Sequence, residues 1–323
     1  MNDAILKIEN LSVGYSTAIC SNINAQVREG EMVGLIGKNG SGKSTLIKTI
    51  IGIENQLSGK ILINNEDINS WSVQKRAKNI SVVFSRLNQV PGISVFDLVA
   101  LGRLPYGNGV RQLKKSEIEL IENALNLIGI DHLKNKMANE LSDGQLQMVM
   151  IARALVQDTQ LVVMDEPTSH LDIENQFKIF ELIDRLSKET SKVFIVASHQ
   201  IDMLLQSSTQ IWWIDEGSFH AGYPEQIAYE QKIFDKLSQH KIKFNYLSGR
   251  FEFQHHKTKK VSFKGDGKSL SYWLISALDR NGFALDDHSD WKIEVKEDEI
   301  RLNNDRFESI EKLINYLKSI ENE

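Results

Sequence analysis

The sequence predicts an α/β fold: a core built on a parallel sheet around a phosphate-binding loop, with an antiparallel β region, an inserted helical region and a small C-terminal α+β domain. Three observations lead there. An apolar run at residues 32–36 breaks at Gly37, Gly40 and Gly42 and then resumes at helical spacing. Two more apolar runs, Leu161-Val162-Val163-Met164 and Val193-Phe194-Ile195-Val196-Ala197, stop abruptly at polar residues, as buried parallel strands do. Beyond about residue 231 the pattern turns to short strands and helices, which sets residues 231–323 apart from residues 1–230 as a second domain.

Composition bounds the function. A chain of 323 residues suits two domains, and 41% hydrophobic with 25% charged residues is ordinary for a soluble protein. No run approaches the ~18 apolar residues of a membrane span, and Met1-Asn2-Asp3 is not a cationic signal region, so no membrane crossing is expected. A net charge of −5 gives no nucleic-acid footprint. Cys20, the only cysteine, excludes an intrachain disulfide, fits a reducing compartment and is read as packing.

From residue 5 to about 31, apolar and polar residues alternate through Leu6, Ile8, Leu11 and Val13, then Ile19, Ile23, Ala25 and Val27. That is half-buried antiparallel strand, broken at Gly14 and at Glu29-Gly30. Tyr15 follows the first break, where its ring can stack on a base or pack on its own sheet. Residues 37–44 then match G-x-x-x-x-G-K-[ST] in full. The glycines let successive N–H groups point at one centre, and the helix that starts near Lys43 adds its positive end. Lys43 can reach the β- and γ-phosphates, and the Ser44 hydroxyl can ligate Mg²⁺. A chance match in a chain of this size is roughly one in a hundred. The loop is read as a nucleotide-phosphate site.

Ile61-Leu62-Ile63 before Asn64-Asn65 indicates a hairpin strand, and residues 78–84 a further buried strand. Pro91-Gly92 interrupts, and residues 92–140 read as an inserted helical subdomain. Within it residues 116–129 place Ile118, Ile121, Leu125 and Ile128 on one face, with Glu117, Glu119, Glu122 and Asn126 opposite. Ser142 with Gln145 three residues on is a capping box that starts the next helix. A cap does not need Gly144, and a glycine in a first helical turn points to close backbone approach by another group.

The run ending at Met164 leads into Asp165-Glu166, and the run ending at Ala197 into Ser198-His199. Ligands of open α/β sheets sit beyond the carboxyl ends of the strands, so the glycine loop, the acidic pair and His199 can converge. Residues 211–219 return to hairpin character. In the C-terminal domain, residues 244–253, 261–263, 291–295 and 299–302 read as strands, and 269–280 and 309–320 as helices. His255-His256 with Lys257, Lys259 and Lys260 is a basic or metal-prone tip, or more plainly a solvated loop.

Taken in order, residues 5 to about 228 resemble the ATP-binding subunit of an ABC transporter, a P-loop NTPase fold. Gly37, Lys38, Asn39, Gly40, Ser41, Gly42, Lys43, Ser44 and Thr45 resemble the Walker A loop, and residues 161–166 the Walker B strand. Leu141-Ser142-Asp143-Gly144-Gln145 resembles the signature, with Asp143 where a second glycine is usual. Ser169-His170-Leu171-Asp172 resembles the D-loop, His199 the switch histidine and Tyr15 the adenine-stacking aromatic. The stretch Ile93-Ser94-Val95-Phe96-Asp97-Leu98-Val99-Ala100-Leu101-Gly102-Arg103-Leu104-Pro105-Tyr106 is similar to importers of ferric siderophores, haem and cobalamin.

The resemblance implies ATP hydrolysis, with ATP and Mg²⁺ as cofactors. It assigns the metal to Ser44 and Asp165, the attacking water to Glu166 and the γ-phosphate sensor to His199. Ser142 and Gly144 are implied to meet the γ-phosphate bound by a second copy of the chain, and Gln145 and Asp172 are implied to bind nucleotide as well. The implied partners are that copy, polytopic permease subunits and an external substrate-binding protein, at the cytoplasmic face of the plasma membrane. One departure stands out. Ser85 occupies the position where the family carries a glutamine, so Ser85 becomes a candidate metal ligand and Gln89 its alternative. Two rival readings remain at this stage: a non-transport ATPase of the same superfamily, and an ATPase regulated by a ligand of the C-terminal domain.

Overall fold

The computed structural model describes residues 4–84, 92–107, 112–230, 242–245, 250–253, 255–296 and 299–320. The chain divides into two compact units, residues 1–233 and 234–323.

The first unit holds two sheets. Strands β1 (Leu6–Gly14), β2 (Ala18–Val27), β4 (Ser58–Ile63) and β5 (Glu66–Asp67) form an antiparallel sheet in the order β2-β1-β4-β5. The second sheet contains β3 (Met32–Gly37), β6 (Ile80–Phe84), β7 (Leu161–Asp165), β8 (Val193–Ala197), β9 (Gln210–Asp215) and β10 (Ser218–Gly222). Its order is β10-β9-β3-β8-β7-β6, parallel except for β10. Strands β3, β7 and β8 are apolar on both faces because both faces are covered. Helix α1 (Lys43–Ile50) touches β1, β3 and β7, and its Leu46, Ile47 and Ile50 join the two sheets in one core.

That strand order positions the site. β8 lies between β3 and β7, and the register pairs Leu35 with Ala197 and Asp165 with Ala197. The carboxyl ends of the three strands therefore finish side by side at one edge of the sheet, the place where open parallel sheets hold ligands.

The helical insert consists of α2 (Val73–Ala77) at its approach, α3 (Val95–Ala100) with a 3₁₀ continuation (Leu101–Tyr106), α4 (Lys115–Ile128) and α5 (Asp143–Val156). Both α3 and α4 pack against α5. Helix α4 buries Ile121, Leu125 and Ile128 and exposes Glu119, Glu122 and Asn126 as the sequence predicts, and departs from it only in its first turn. Glu117, expected on the wet face, is only 4% exposed, whereas Ile118, expected inside, is 37% exposed. The cause is electrostatic. Glu117 Oε1 lies 3.4 Å from Arg103 Nε, its Oε2 accepts from the Lys114 backbone N–H at 3.0 Å, and Arg103 also donates to the Val156 carbonyl at 2.8 Å. A carboxylate is tolerated in such a place only when paired and hydrogen-bonded. Helices α6 (Ile173–Thr190), α7 (Ile201–Ser207) and α8 (Pro224–Tyr229) complete this unit.

The second unit carries a hairpin, β11 (Ile242–Asn245) with β12 (Arg250–Phe253), and a five-stranded sheet. That sheet orders β13 (Lys259–Lys264), β14 (Phe283–Leu285), β15 (Lys292–Lys296), β16 (Glu299–Leu302) and β17 (Asp305–Phe307) as β14-β13-β15-β16-β17. Helices α9 (Ser269–Arg280) and α10 (Ile310–Ser319) touch each other and bury Leu274, Leu278, Leu313 and Leu317 with Val261, Ile293 and Ile300 of the sheet. No helix of the described residues is long and apolar enough to cross a membrane.

Candidate functional site

The phosphate loop leaves β3 at Gly37 and enters α1 at Lys43. Gly37 has φ +157°, and a Cβ there would stand 2.5 Å from Ser41 Oγ and 2.6 Å from the Ile214 carbonyl, so the loop closes only over a bare backbone. The start of α1 is capped by no side chain and carries no acid in its first turn, leaving its N–H donors and positive end for an anion. Ser41 Oγ is buried without a hydrogen-bond partner. Lys43 is 8% exposed and its Nζ donates to the Gly37 carbonyl at 2.6 Å and the Lys38 carbonyl at 3.2 Å. Burial lowers the Lys43 pKa, and the charges of Glu166 and Asp165 counter that. Lys38 Nζ reaches within 3.8 Å of Asp215 at the end of β9. Asn39, Gly40 and Ser44 are exposed at the loop surface, while Thr45 is buried under it. Tyr15 stands 59% exposed in the turn between β1 and β2. The Ile19 side chain of the same hairpin lies 3.0 Å from where a Cβ of Gly42 would be, which brings that hairpin to the loop.

Asp165 ends β7, and Glu166 follows with φ +52°, a strained value for a non-glycine residue. Two main-chain bonds hold it there: Glu166 N–H donates to the Ala197 carbonyl at 2.9 Å, and its carbonyl accepts from Ser169 N–H at 3.2 Å. The strain turns the carboxylate toward His199. Oε1 lies 3.4 Å from His199 Nε2, and Oε2 accepts from the His199 backbone N–H at 3.4 Å. Oε1 is buried with no hydrogen bond of its own. Burial raises the Glu166 pKa against the opposing charge of His199, and burial also raises that of Asp165 against Lys43. The strand ends thus bring the loop, the acidic pair and the histidine to one place, where a buried ammonium faces two carboxylates made costly to ionise.

Ser142, Gly144, Gln145 and Asp172 form a second group, and no hydrogen bond among the described residues ties it to the loop. Ser142 Oγ accepts from Gln145 N–H at 3.3 Å and Gln145 Oε1 from Ser142 N–H at 3.2 Å, a reciprocal cap on α5. Asp172 caps α6, accepting from the Asn175 backbone N–H at 2.8 Å and from Asn175 Nδ2 at 3.1 Å. The close neighbour of Gly144 in this chain is Asn175, whose amide lies 3.1–3.4 Å from where a Cβ would stand. Sequence reasoning passed over Asn175, although Asp-x-x-Asn at a helix start was there to be read as a cap and its donor. It also passed over Thr168 Oγ1 and Gln200 Oε1, both buried without hydrogen-bond partners. Ser85 and Gln89 lie outside the described residues.

Residues 20–169 match the family described as ABC transporter, and residues 258–318 match the iron ABC transporter C-terminal domain. An uncharacterised ABC transporter ATP-binding protein of Methanocaldococcus jannaschii is 31% identical over 84% of this chain and 96% of that protein. The achromobactin transport ATP-binding protein of Dickeya dadantii is 33% identical over 69% of this chain and 84% of that protein. The solved structure of cbiO1 from Clostridium perfringens, part of the ABC transporter complex cbiONQ, superposes with a TM-score of 0.64 at 33% identity, covering 73% of this chain and 95% of that one. A phosphate loop, an acidic strand end and a histidine meeting at one sheet edge, in a sequence alike over most of its length, mean that this chain belongs to the ATP-binding proteins of ABC transporters.

Proposed function

We propose that the chain hydrolyses ATP to power an importer of chelated iron. One observation carries the choice of cargo: an ATP-binding cassette is joined to a C-terminal segment that matches the iron ABC transporter C-terminal domain. The likeness to a protein named for achromobactin transport supports it.

In this reading Lys43 and the amides of residues 37–44 hold the β- and γ-phosphates, and Tyr15 stacks on adenine. Three neighbouring groups support it: the buried, partnerless Ser41 Oγ, the uncapped start of α1 and the inward Lys43 Nζ are all donors suited to phosphate oxygens. Ser44 and Asp165 would hold Mg²⁺, which supplies charge neutralisation at the phosphates. An exposed hydroxyl and a carboxylate at the rim of the loop suit an ion that keeps waters and takes phosphate oxygens as its other ligands. Glu166 orients and polarises the attacking water: its Oε1 has no hydrogen bond, and its raised pKa makes it a stronger base. His199, held 3.4 Å from that carboxylate, reads the γ-phosphate.

Ser142, Gly144, Gln145 and Asp172 complete the site of a second copy, which fits their having no hydrogen bond to the loop of their own chain among the described residues. The permease partner docks in a largely apolar groove of about 710 Å³ lined by Val73, Val82, Phe84, Leu98 and Met150. An external binding protein delivers the cargo.

The test is uptake of radiolabelled ferric chelate by cells whose only copy carries Glu166→Gln, beside ATP binding and turnover of the purified chain. Uptake and turnover are lost while ATP still binds; Lys43→Ala loses binding first. Iron uptake that continues unchanged when turnover is abolished would overturn the importer reading.

A further inference from the structure

We infer that the C-terminal unit binds a small aromatic anion in a recess formed by α9, the β11–β12 hairpin and β14. The recess measures about 840 Å³, within the ~300–1,000 Å³ of small-molecule sites.

Helix α9 presents two different sides, one apolar and packed, one mixed. Leu274, Ala277 and Leu278 enter the core, whereas Tyr272, Ile275, Ser276 and Asp279, at i, i+3, i+4 and i+7, form a second stripe that lines the recess. Tyr272 is 58% exposed on that stripe, and Phe253 of β12, which lines the same recess, is 71% exposed. Exposed Tyr272 and Ile275, on a helix whose core side is already packed, are apolar surface that a ligand can cover. Exposed rings lining a recess favour a flat ring stacked on them.

The charges of the recess select the sign. Lys243, Lys257 and Arg280 face two acids, Glu252 and Asp279, and both acids are engaged. Asp279 Oδ2 lies 2.8 Å from His255 Nδ1, and its Oδ1 pairs with Lys257. Burial pushes the Asp279 carboxyl up, but hydrogen bonds from Lys257 and His255 outweigh it and hold the pKa below its usual value, so this acid stays ionised and occupied. Lys243 and Arg280 make no ion pair among the described residues. Among the described residues the recess thus offers more cations than acids, with both acids engaged and with exposed rings beside them, the complement of a carboxylate or phenolate on an aromatic body. The inference does not rest on the ATPase reading, since every lining residue belongs to the other unit.

Isothermal titration of the full chain with 2-naphthoate tests it, with 2-naphthalenemethanol as the neutral counterpart and acetate as the anion without a ring. The expected result is saturable binding of naphthoate alone. Its affinity falls at least tenfold with Tyr272→Ala and with Arg280→Glu, and is largely kept with Arg280→Lys. Both sites of change are exposed, and circular dichroism confirms that each variant is folded. Absence of saturable naphthoate binding overturns the inference. So does equal binding of the neutral counterpart, or naphthoate binding that neither Tyr272→Ala nor Arg280→Glu weakens.

Discussion

Gly144→Ala separates what the fold needs at this position from what turnover needs. Gly144 sits in the first turn of α5 with no positive φ, so alanine fits the backbone and gains roughly 0.5–1 kcal/mol over glycine in a helix. Against that, the new Cβ would stand 3.1 Å from Asn175 Cγ and 3.2 Å from its Oδ1, so the amide must withdraw by a few tenths of an ångström. The withdrawal strains the Asn175 Nδ2 bond to Asp172, worth about 0.5–1.5 kcal/mol. Gain and loss nearly cancel, leaving stability within about 1 kcal/mol of wild type, or ~2–4 °C in a unit of this size. Turnover behaves differently if the bare Gly144 backbone meets the nucleotide of a second copy: kcat then falls at least tenfold, about 1.4 kcal/mol. Thermal melts and steady-state ATPase assays at saturating ATP read the two effects separately. A melting point lowered by more than about 10 °C would show that Asn175 cannot yield. A normal melting point with normal turnover would show that nothing needs the bare backbone, and the two-copy argument would fail at this residue.

The remaining predictions concern buried charge. Because burial raises the Glu166 pKa above its unfolded value, its contribution to stability is fully present below the ordinary carboxylate pKa and is lost as pH rises through the raised one. Glu166→Gln therefore melts higher than wild type at pH 8, and the gap closes as the pH falls; a gap that widens on acidification contradicts the assignment. The same raised pKa belongs to the nucleotide-free chain, so it places the acid limb of the wild-type kcat/KM profile above the usual carboxylate range, and a limb within that range contradicts Glu166 as the base. Glu117→Ala strands Arg103, whose side chain is only 10% exposed, at a cost of ~3–5 kcal/mol, or roughly 6–20 °C of melting temperature. Adding Arg103→Met to Glu117→Ala restores part of the loss, and strictly additive losses would mean the two charges do not depend on each other.

Much of this architecture is legible in the sequence because its signals are local. Alternation marks β1 and β2, continuous apolar runs mark β7 and β8, and the spacing of Gly37, Gly40, Gly42 and Lys43 marks a loop whose backbone geometry few sequences satisfy. What stays hidden depends on contacts distant in sequence. Glu117 reads as a wet-face acid because Arg103, which buries it, lies 14 residues away on another element. Asn175 reads as one more polar residue of an amphipathic helix until the fold sets it against Gly144, 31 positions earlier. The exposed Tyr272 and Ile275 of α9 read as part of a single core helix on a linear reading, and β14 and β17 are too short to show a period.

The claim that ATP is held between two copies of this chain is tested most directly by the mass of Glu166→Gln in solution, measured by light scattering with and without Mg-ATP. The account predicts a monomer without nucleotide and twice that mass with Mg-ATP, reversed by adding Lys43→Ala. A Glu166→Gln protein that binds Mg-ATP and still scatters as a monomer at high concentration, with the permease present or absent, would contradict it.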